Sequence, residues 1–382
     1  MSKSNARSLS QPHFSSPLDA PRARASLRKR LLAWFDRHRR DFPWRRDRDA
    51  YRIWVSEVML QQTQAAVVVP YFERFIESFP TVDALAAADE QTVLRLWEGL
   101  GYYRRAHALH AAARQLVGVH ASRVPDDPDI LDGMPGLGRY TRNAILSQAF
   151  DRRLPILEAN SQRVFSRWYG YREDPRLGPA RARLWQRAEQ LLPLRRAGDF
   201  NQAVMELGAM VCTAARPLCS NCPVSAYCRA CHLGIQDKIP PRSRSAPIVR
   251  VKETAVVIWK KQAVLLVRRP PTGRWAGMWE FPHGEKEPNE THEEASLRHV
   301  QELTGLKVSL GPELTSLSHS IMRFHITVMC FEARHKSGRF HSSFYQQGRW
   351  VRPNQLASFP VSAPQRRLAQ LLAGGIRQRR LF

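Results

Sequence analysis

Five of the six cysteines fall between Cys212 and Cys231, and four of them, Cys212, Cys219, Cys222 and Cys228, are separated by six, two and five residues. Thiols this close can pair as disulfides, hold zinc as four thiolates, or wrap an iron–sulfur cubane. No secretory h-region is visible, so an intracellular protein is expected and disulfides are disfavoured. Zinc and iron–sulfur stay evenly matched on spacing. Cys231 is left over, and Cys330 reads as a core residue. A second stretch with chemical potential is Met134-Pro135-Gly136-Leu137-Gly138-Arg139-Tyr140-Thr141. Two glycines around one apolar residue suit a tight turn, and free N–H groups there and in the first turn of a following helix suit an anion such as a DNA phosphate. Alone, the octapeptide is equally an ordinary helix cap and loop. Glu57, set among Val55, Val58 and Met59, is a carboxyl that burial would keep protonated and able to donate.

These residues need a scaffold, and the periodicity supplies one. From Arg30 to about Leu233 the apolar spacing is helical, with Trp54, Val55, Val58 and Met59 forming one stripe and Val93, Leu94 and Trp97 another. Pro128–Leu131 and the residues from Tyr140 to Phe150 flank the glycine turn as helix, turn, helix. Residues 234–250, with Pro240-Pro241, read as a linker. Beyond it, Ala255–Trp259 and Ala263–Val267 around Lys260-Lys261-Gln262 predict a β-hairpin, followed by a helix over Glu293–Leu303 and a strand over Phe324–Phe331. A mainly α domain over 30–233 and an α+β domain over 251–370 result, between basic tails at 1–29, expected to be disordered, and 371–382. The net charge of +25 and a pI near 10.8 point to a polyanionic partner, nucleic acid ahead of a membrane surface. No apolar run is long enough to span a bilayer, and a cytoplasmic, nucleoid-associated protein is expected, with organellar targeting left open. Between residues 30 and 237 there is no lysine.

Taken together, the helical stretch, the glycine hairpin and the C-x6-C-x2-C-x5-C spacing resemble the helix-hairpin-helix DNA glycosylase superfamily. Within it the resemblance is to adenine DNA glycosylases of the MutY type. Its specific carriers are Trp54-Val55-Ser56-Glu57-Val58-Met59-Leu60-Gln61-Gln62-Thr63-Gln64, Gly99-Leu100-Gly101-Tyr102-Tyr103-Arg104-Arg105-Ala106, and Asp41-Phe42-Pro43-Trp44-Arg45. The resemblance implies a two-lobed helical glycosylase domain with a cleft, a [4Fe–4S] cluster on Cys212, Cys219, Cys222 and Cys228, and double-stranded DNA with A:8-oxoguanine or A:G mispairs as partner, bound by a monomer. By the same implication Glu57 protonates adenine at N7 before water attacks the sugar carbon. Gln62 and Tyr103 wedge into the duplex, while Gly136, Gly138 and Arg139 meet its backbone. Lyase relatives carry a Schiff-base lysine where this chain has Tyr140, so a monofunctional glycosylase is expected, with Tyr140 lining the pocket beside Glu57.

Two departures qualify the likeness. Relatives carry Asp-Gly-Asn where this chain has Glu158-Ala159-Asn160. Glu158 keeps the charge that would stabilise the sugar cation but is one methylene longer, and Asn160 matches the residue that helps orient carboxylate and water. The C-terminal domain resembles a Nudix fold that reads 8-oxoguanine. Its box survives at Gly284, Glu290, Arg298, Glu302, Gly305 and Leu306, but His299 and Leu303 replace two magnesium-binding carboxylates, so no pyrophosphatase activity is expected. Where relatives have a Phe-Ser-His reading turn, the alignment places Ile321-Met322-Arg323, near Ser318-His319. Two other readings follow from these departures: a diverged paralogue with altered base or opposite-base preference, and a catalytically impaired lesion-binding protein.

Overall fold

The computed structural model describes residues 16–241 and 247–374. The chain's first fifteen residues and its last eight, expected as tails, lie outside the described residues. The expected disorder up to residue 29 is corrected by α1, which runs Pro21–His38. Its proline stands in the first turn, where a missing N–H costs nothing, and Leu27, Leu31, Trp34 and Phe35 form a buried face beneath an arginine-rich exterior.

Helices α2 (Ala50–Leu60), α3 (Ala65–Ser78), α4 (Val82–Ala87), α5 (Glu90–Leu96) and α6 (Arg104–Val119) follow. Then come α7 (Pro128–Leu131), α8 (Arg139–Phe150), α9 (Ala159–Tyr169), α10 (Gly178–Leu191), α11 (Ala197–Met210) and the short α12 (Arg229–His232). Described residues of the chain fall into two compact units whose division does not follow the linker. The first joins the part up to Glu57 with the part from Pro125 to the linker. Its core gathers Leu31, Phe35, Phe165, Trp168, Trp185, Phe200 and Leu207, where α1, α8 and α9 pack on α11. The helix, turn, helix expected around the glycines is present as α7 and α8. Gly136 is left-handed at φ 77°, whereas Gly138 is extended at φ −74°, and a side chain there would meet nothing within 4 Å. Gly138 therefore does not supply the turn; it leaves the α8 N-terminus uncovered.

The second unit combines Val58–Val124 with the described residues beyond the linker. Strands β1 (Val249–Lys260), β2 (Ala263–Arg268), β3 (Trp279–Glu280) and β4 (His283–Glu285) precede α13 (His292–Thr304). After it come β5 (Lys307–Ile321), β6 (Phe324–Ser337), β7 (Gln347–Val351) and α14 (Ala363–Ala373). The sheet runs β3-β2-β1-β6-β5, with β4 paired to β1, β7 to β2, and β1 parallel to β6. One face packs a core of Val257, Leu266, Phe281 and Leu368, and the other a core of Val256, Leu265 and Val300. The predicted β1–β2 hairpin and α13 are present. Residues 318–323 are not a separate loop: Ser318 to Ile321 end β5, and Met322, left-handed at φ 53° and exposed, begins the turn into β6.

Candidate active site

Glu57 lies in α2 and is 3% exposed. Its carboxyl is held at both oxygens: Tyr140 Oη donates to Oε2 at 2.9 Å, and Gln148 Nε2 donates to Oε1 at 2.7 Å. Burial raises its pKa above the ordinary carboxyl value, while the two donors and Arg45 pull the other way. Both donors come from α8, one at its first turn and one near its end, so a single helix fixes the acid's rotamer. Tyr140 also sits 3.5 Å from Met205 Sδ on α11.

Glu158 is close enough to Glu57 and Tyr140 for its negative charge to raise the pKa of both. It is the N-cap of α9: Oε2 accepts Asn160 N–H and Oε1 accepts Ser161 N–H, each at 2.7 Å, while Ser161 Oγ returns a bond from Glu158 N–H at 2.7 Å. The carboxyl of the longer side chain folds back over the helix start and caps it. Burial raises the Glu158 pKa against these bonds and against Arg163. Asn160 Oδ1 accepts from Arg163 Nη2 at 2.8 Å, and Arg163 Nε donates to Cys212 O at 2.8 Å, tying the residue beside Glu158 to the start of the cysteine loop.

Beside this group is a set in which only Arg45 belongs to a motif. Glu206 on α11, 1% exposed, accepts from Arg40 N at 3.0 Å, Arg40 Nε at 2.7 Å, Arg40 Nη2 at 3.0 Å and Arg45 Nη2 at 3.1 Å. Burial would push its carboxyl up, but the two guanidinium groups pull it down to about 2. Arg45 also acts on Glu57, so the same guanidinium that holds Glu206 ionised favours the ionised form of the acid. Gln148 was missed as well. The signal was available only for Arg45, which closes the Asp41–Arg45 signature; the others are polar residues within helical stretches.

Of the residues expected to touch DNA, Gln62 is exposed, just past α2, with φ 59°. The tyrosine pair is reversed. Tyr103 is 6% exposed and its hydroxyl accepts Gly99 N–H at 3.4 Å, so it is core; Tyr102 is 47% exposed with φ 47° and faces outward. Arg105 fixes this neighbourhood, with Nη1 donating to the carbonyls of Val58, Met59 and Gln61 and Nη2 to those of Leu100 and Gly101. Arg139 is exposed and lies over the Trp185 ring at 4.0 Å.

Residues 55–190 match the family described as HhH-GPD superfamily base excision DNA repair protein, and residues 254–371 match the NUDIX domain. A Mus musculus protein named adenine DNA glycosylase is 38% identical over 330 residues, 73% of this chain and 64% of that one. Its Rattus norvegicus namesake is 34% identical over 403 residues, covering 90% of this chain and 77% of the relative, and the Homo sapiens one 33% over 405 residues, covering 91% and 74%. A solved structure described as a thermostable thymine-DNA glycosylase aligns with TM-score 0.51 at 28% identity, covering 56% of this chain and 98% of that one. The chain belongs to the adenine DNA glycosylase family.

Membership in the adenine DNA glycosylase family directs attention to the cysteine loop. Cys212, Cys219, Cys222, Cys228 and Cys231 line one pocket with Arg167 and Trp168, and all are free thiols. Burial pushes the Cys222 and Cys228 thiols up to about 12 and that of Cys219 to about 11. Arg167 Nη1 lies 3.2 Å from Cys212 Sγ, a buried cation where thiolate charge would need one. Among the described residues no three His, Cys, Asp or Glu side chains converge as a single-ion site would require. Thiols gathered on one pocket are a soft donor set that zinc and an iron–sulfur cluster both accept.

In the sheet domain the former Nudix positions are occupied differently. Glu290 pairs with Arg298 at 2.5 and 3.0 Å, and His299 Nε2 lies 2.8 Å from Glu285 O. Among the described residues no helix is long and apolar enough to cross a membrane.

Proposed function

We propose that the chain is a monofunctional DNA glycosylase that hydrolyses the N-glycosidic bond of adenine mispaired with 8-oxoguanine or guanine. The observation carrying this reading is Glu57, a buried carboxyl whose pKa is raised by burial and which is aimed by Tyr140 and Gln148. Its proton goes to N7 of an extruded adenine, the C1′–N9 bond breaks with its electron pair leaving on the base, and water adds at C1′ while its proton returns to the Glu57 carboxylate. Glu158, set at the positive end of α9, stabilises the sugar cation, and Asn160, held by Arg163, orients the water. Tyr140 supports the monofunctional reading, because a phenol cannot form a Schiff base with the ribose aldehyde.

The same reading assigns a [4Fe–4S] cluster to Cys212, Cys219, Cys222 and Cys228. When bound, it cross-links the loop through four iron–sulfur bonds. Double-stranded DNA is the partner, bound by a monomer near Gln62, Gly136, Gly138, Arg139 and, in place of Tyr103, Tyr102. The sheet domain reads the base opposite the adenine without the Phe-Ser-His turn of relatives.

Single-turnover adenine release from a duplex with one A:8-oxoguanine pair, assayed with and without alkali, tests the reading. Strand cleavage is expected only after alkali and is lost in Glu57→Gln. Cleavage without alkali would sink the monofunctional assignment, and tight binding without adenine release would favour a lesion-binding protein.

A further inference from the structure

Glu98 stands at the entrance to the Gly99–Tyr103 loop, and Arg366 on α14 takes both its carboxylate oxygens. Arg366 Nε donates to Oε1 at 2.6 Å and Nη2 to Oε2 at 2.8 Å, while Val361 N–H also reaches Oε2 at 3.3 Å. The two side chains are 19% and 15% exposed, so this bidentate pair is screened less than a surface one. Arg366 is held in turn by the carbonyls of Leu356 at 3.0 Å and Phe359 at 2.6 Å.

Past the loop, on the first turn of α6, His107 Nε2 lies 3.0 Å from Ala276 O and Nδ1 2.6 Å from Glu90 Oε1. On α5, Gln91 donates to Gly277 O at 3.1 Å and accepts from Trp279 Nε1 at 2.8 Å. The sheet domain therefore grips the helical segment on both sides of the loop. Between those grips Gly99, Gly101 and Tyr102 are left-handed, with φ of 99°, 71° and 47°. A non-glycine residue persists in that conformation only where its surroundings impose it.

We propose that Glu98 and Arg366 are positioning residues through which the sheet domain sets the Gly99–Tyr103 loop so that Tyr102 enters the base stack as adenine is extruded. This rests on the glycosylase reading above. The pair touches neither substrate nor the reacting atoms; its loss slows extrusion and spares bond cleavage.

The test uses the full chain as wild type, Arg366→Met, Glu98→Gln, their double variant, and Arg366→Lys to keep the charge should Arg366→Met fold poorly. Two duplexes are compared, one with adenine opposite 8-oxoguanine and one with adenine in a single-nucleotide bulge, where extrusion costs less. 2-Aminopurine beside the adenine reports unstacking, and single-turnover release reports the whole reaction. On the paired duplex both rates are expected to fall roughly tenfold in each single variant, with no further loss in the double variant and partial recovery in Arg366→Lys. On the bulge, release stays at the wild-type rate. Equal losses on the two duplexes, no loss on either, or additive losses in the double variant would overturn the proposal. If wild-type unstacks the paired duplex yet releases no adenine from either, the glycosylase reading fails instead.

Discussion

At the level of single residues the decisive quantity is the proton on Glu57. Burial raises its pKa, and the Gln148 and Tyr140 donors hold that rise in check because both favour the ionised form. A general acid works only while protonated, so release should decline as pH rises through the Glu57 pKa. Gln148→Leu removes one restraint, raises that pKa further, and is expected to move the alkaline limb of the single-turnover rate to higher pH. A limb that stays put or moves down would show that Glu57 does not set it. Glu57 and Tyr140 were legible in the sequence because each sits inside a motif. Gln148, Arg40 and Glu206 were not: they are polar residues in helical text, brought together only by packing. Tyr102 and Tyr103 show a different limit. Spacing says that one ring of an adjacent pair faces inward, but which one depends on the left-handed backbone at Tyr102.

Elements were more legible than residues, since apolar period and glycine placement survive without tertiary information. The helix, turn, helix, the β1–β2 hairpin and α13 were all visible. The start of α1 was hidden because its charged face dominates the composition, although Leu27, Leu31, Trp34 and Phe35 keep a helical spacing. Strand β5 was missed because its side chains are intermediate or exposed along its whole length. How closely two helices approach cannot be read from either. Gly208 on α11 faces Asn160 on α9, and a Cβ there would lie 2.7 Å from Asn160 Cβ and 3.3 Å from its Cα. Helix propensity alone favours alanine at a mid-helix glycine by about 1 kcal/mol. The clash falls partly on backbone and outweighs it, so Gly208→Ala is expected to destabilise by roughly 1–3 kcal/mol net and to displace Asn160. Thermal unfolding and adenine release should both decline; a higher Tm would mean that α9 yields without cost.

Across the whole chain, the two units carry buried charge of different kinds and so should answer pH differently. In the helical unit, Glu206 is depressed to about 2 by Arg40 and Arg45. Its contribution is present above the ordinary carboxyl value and is lost as pH falls toward about 2, so this carboxylate adds nothing to a loss of stability in alkali. In the sheet unit His283 is buried, with Nδ1 3.3 Å from Glu280 Oε1 and Nε2 3.6 Å from Glu253 Oε2. Burial alone would lower its pKa, yet the two carboxylates raise it above the ordinary histidine value, against a smaller opposing effect of Arg269. Arg269 and Tyr345 also bind Glu280, and Arg274 binds Glu253, each at 2.9 Å, so neutral His283 would leave two buried carboxylates short of one cation. Its stabilisation is complete below about 6.5 and disappears as pH rises through the folded-state pKa. Amide protection in β4 is therefore expected to fall between neutral and alkaline pH while protection in α11 holds, and His283→Gln should abolish that difference. Parallel loss in both elements would mean that the triad is not what titrates.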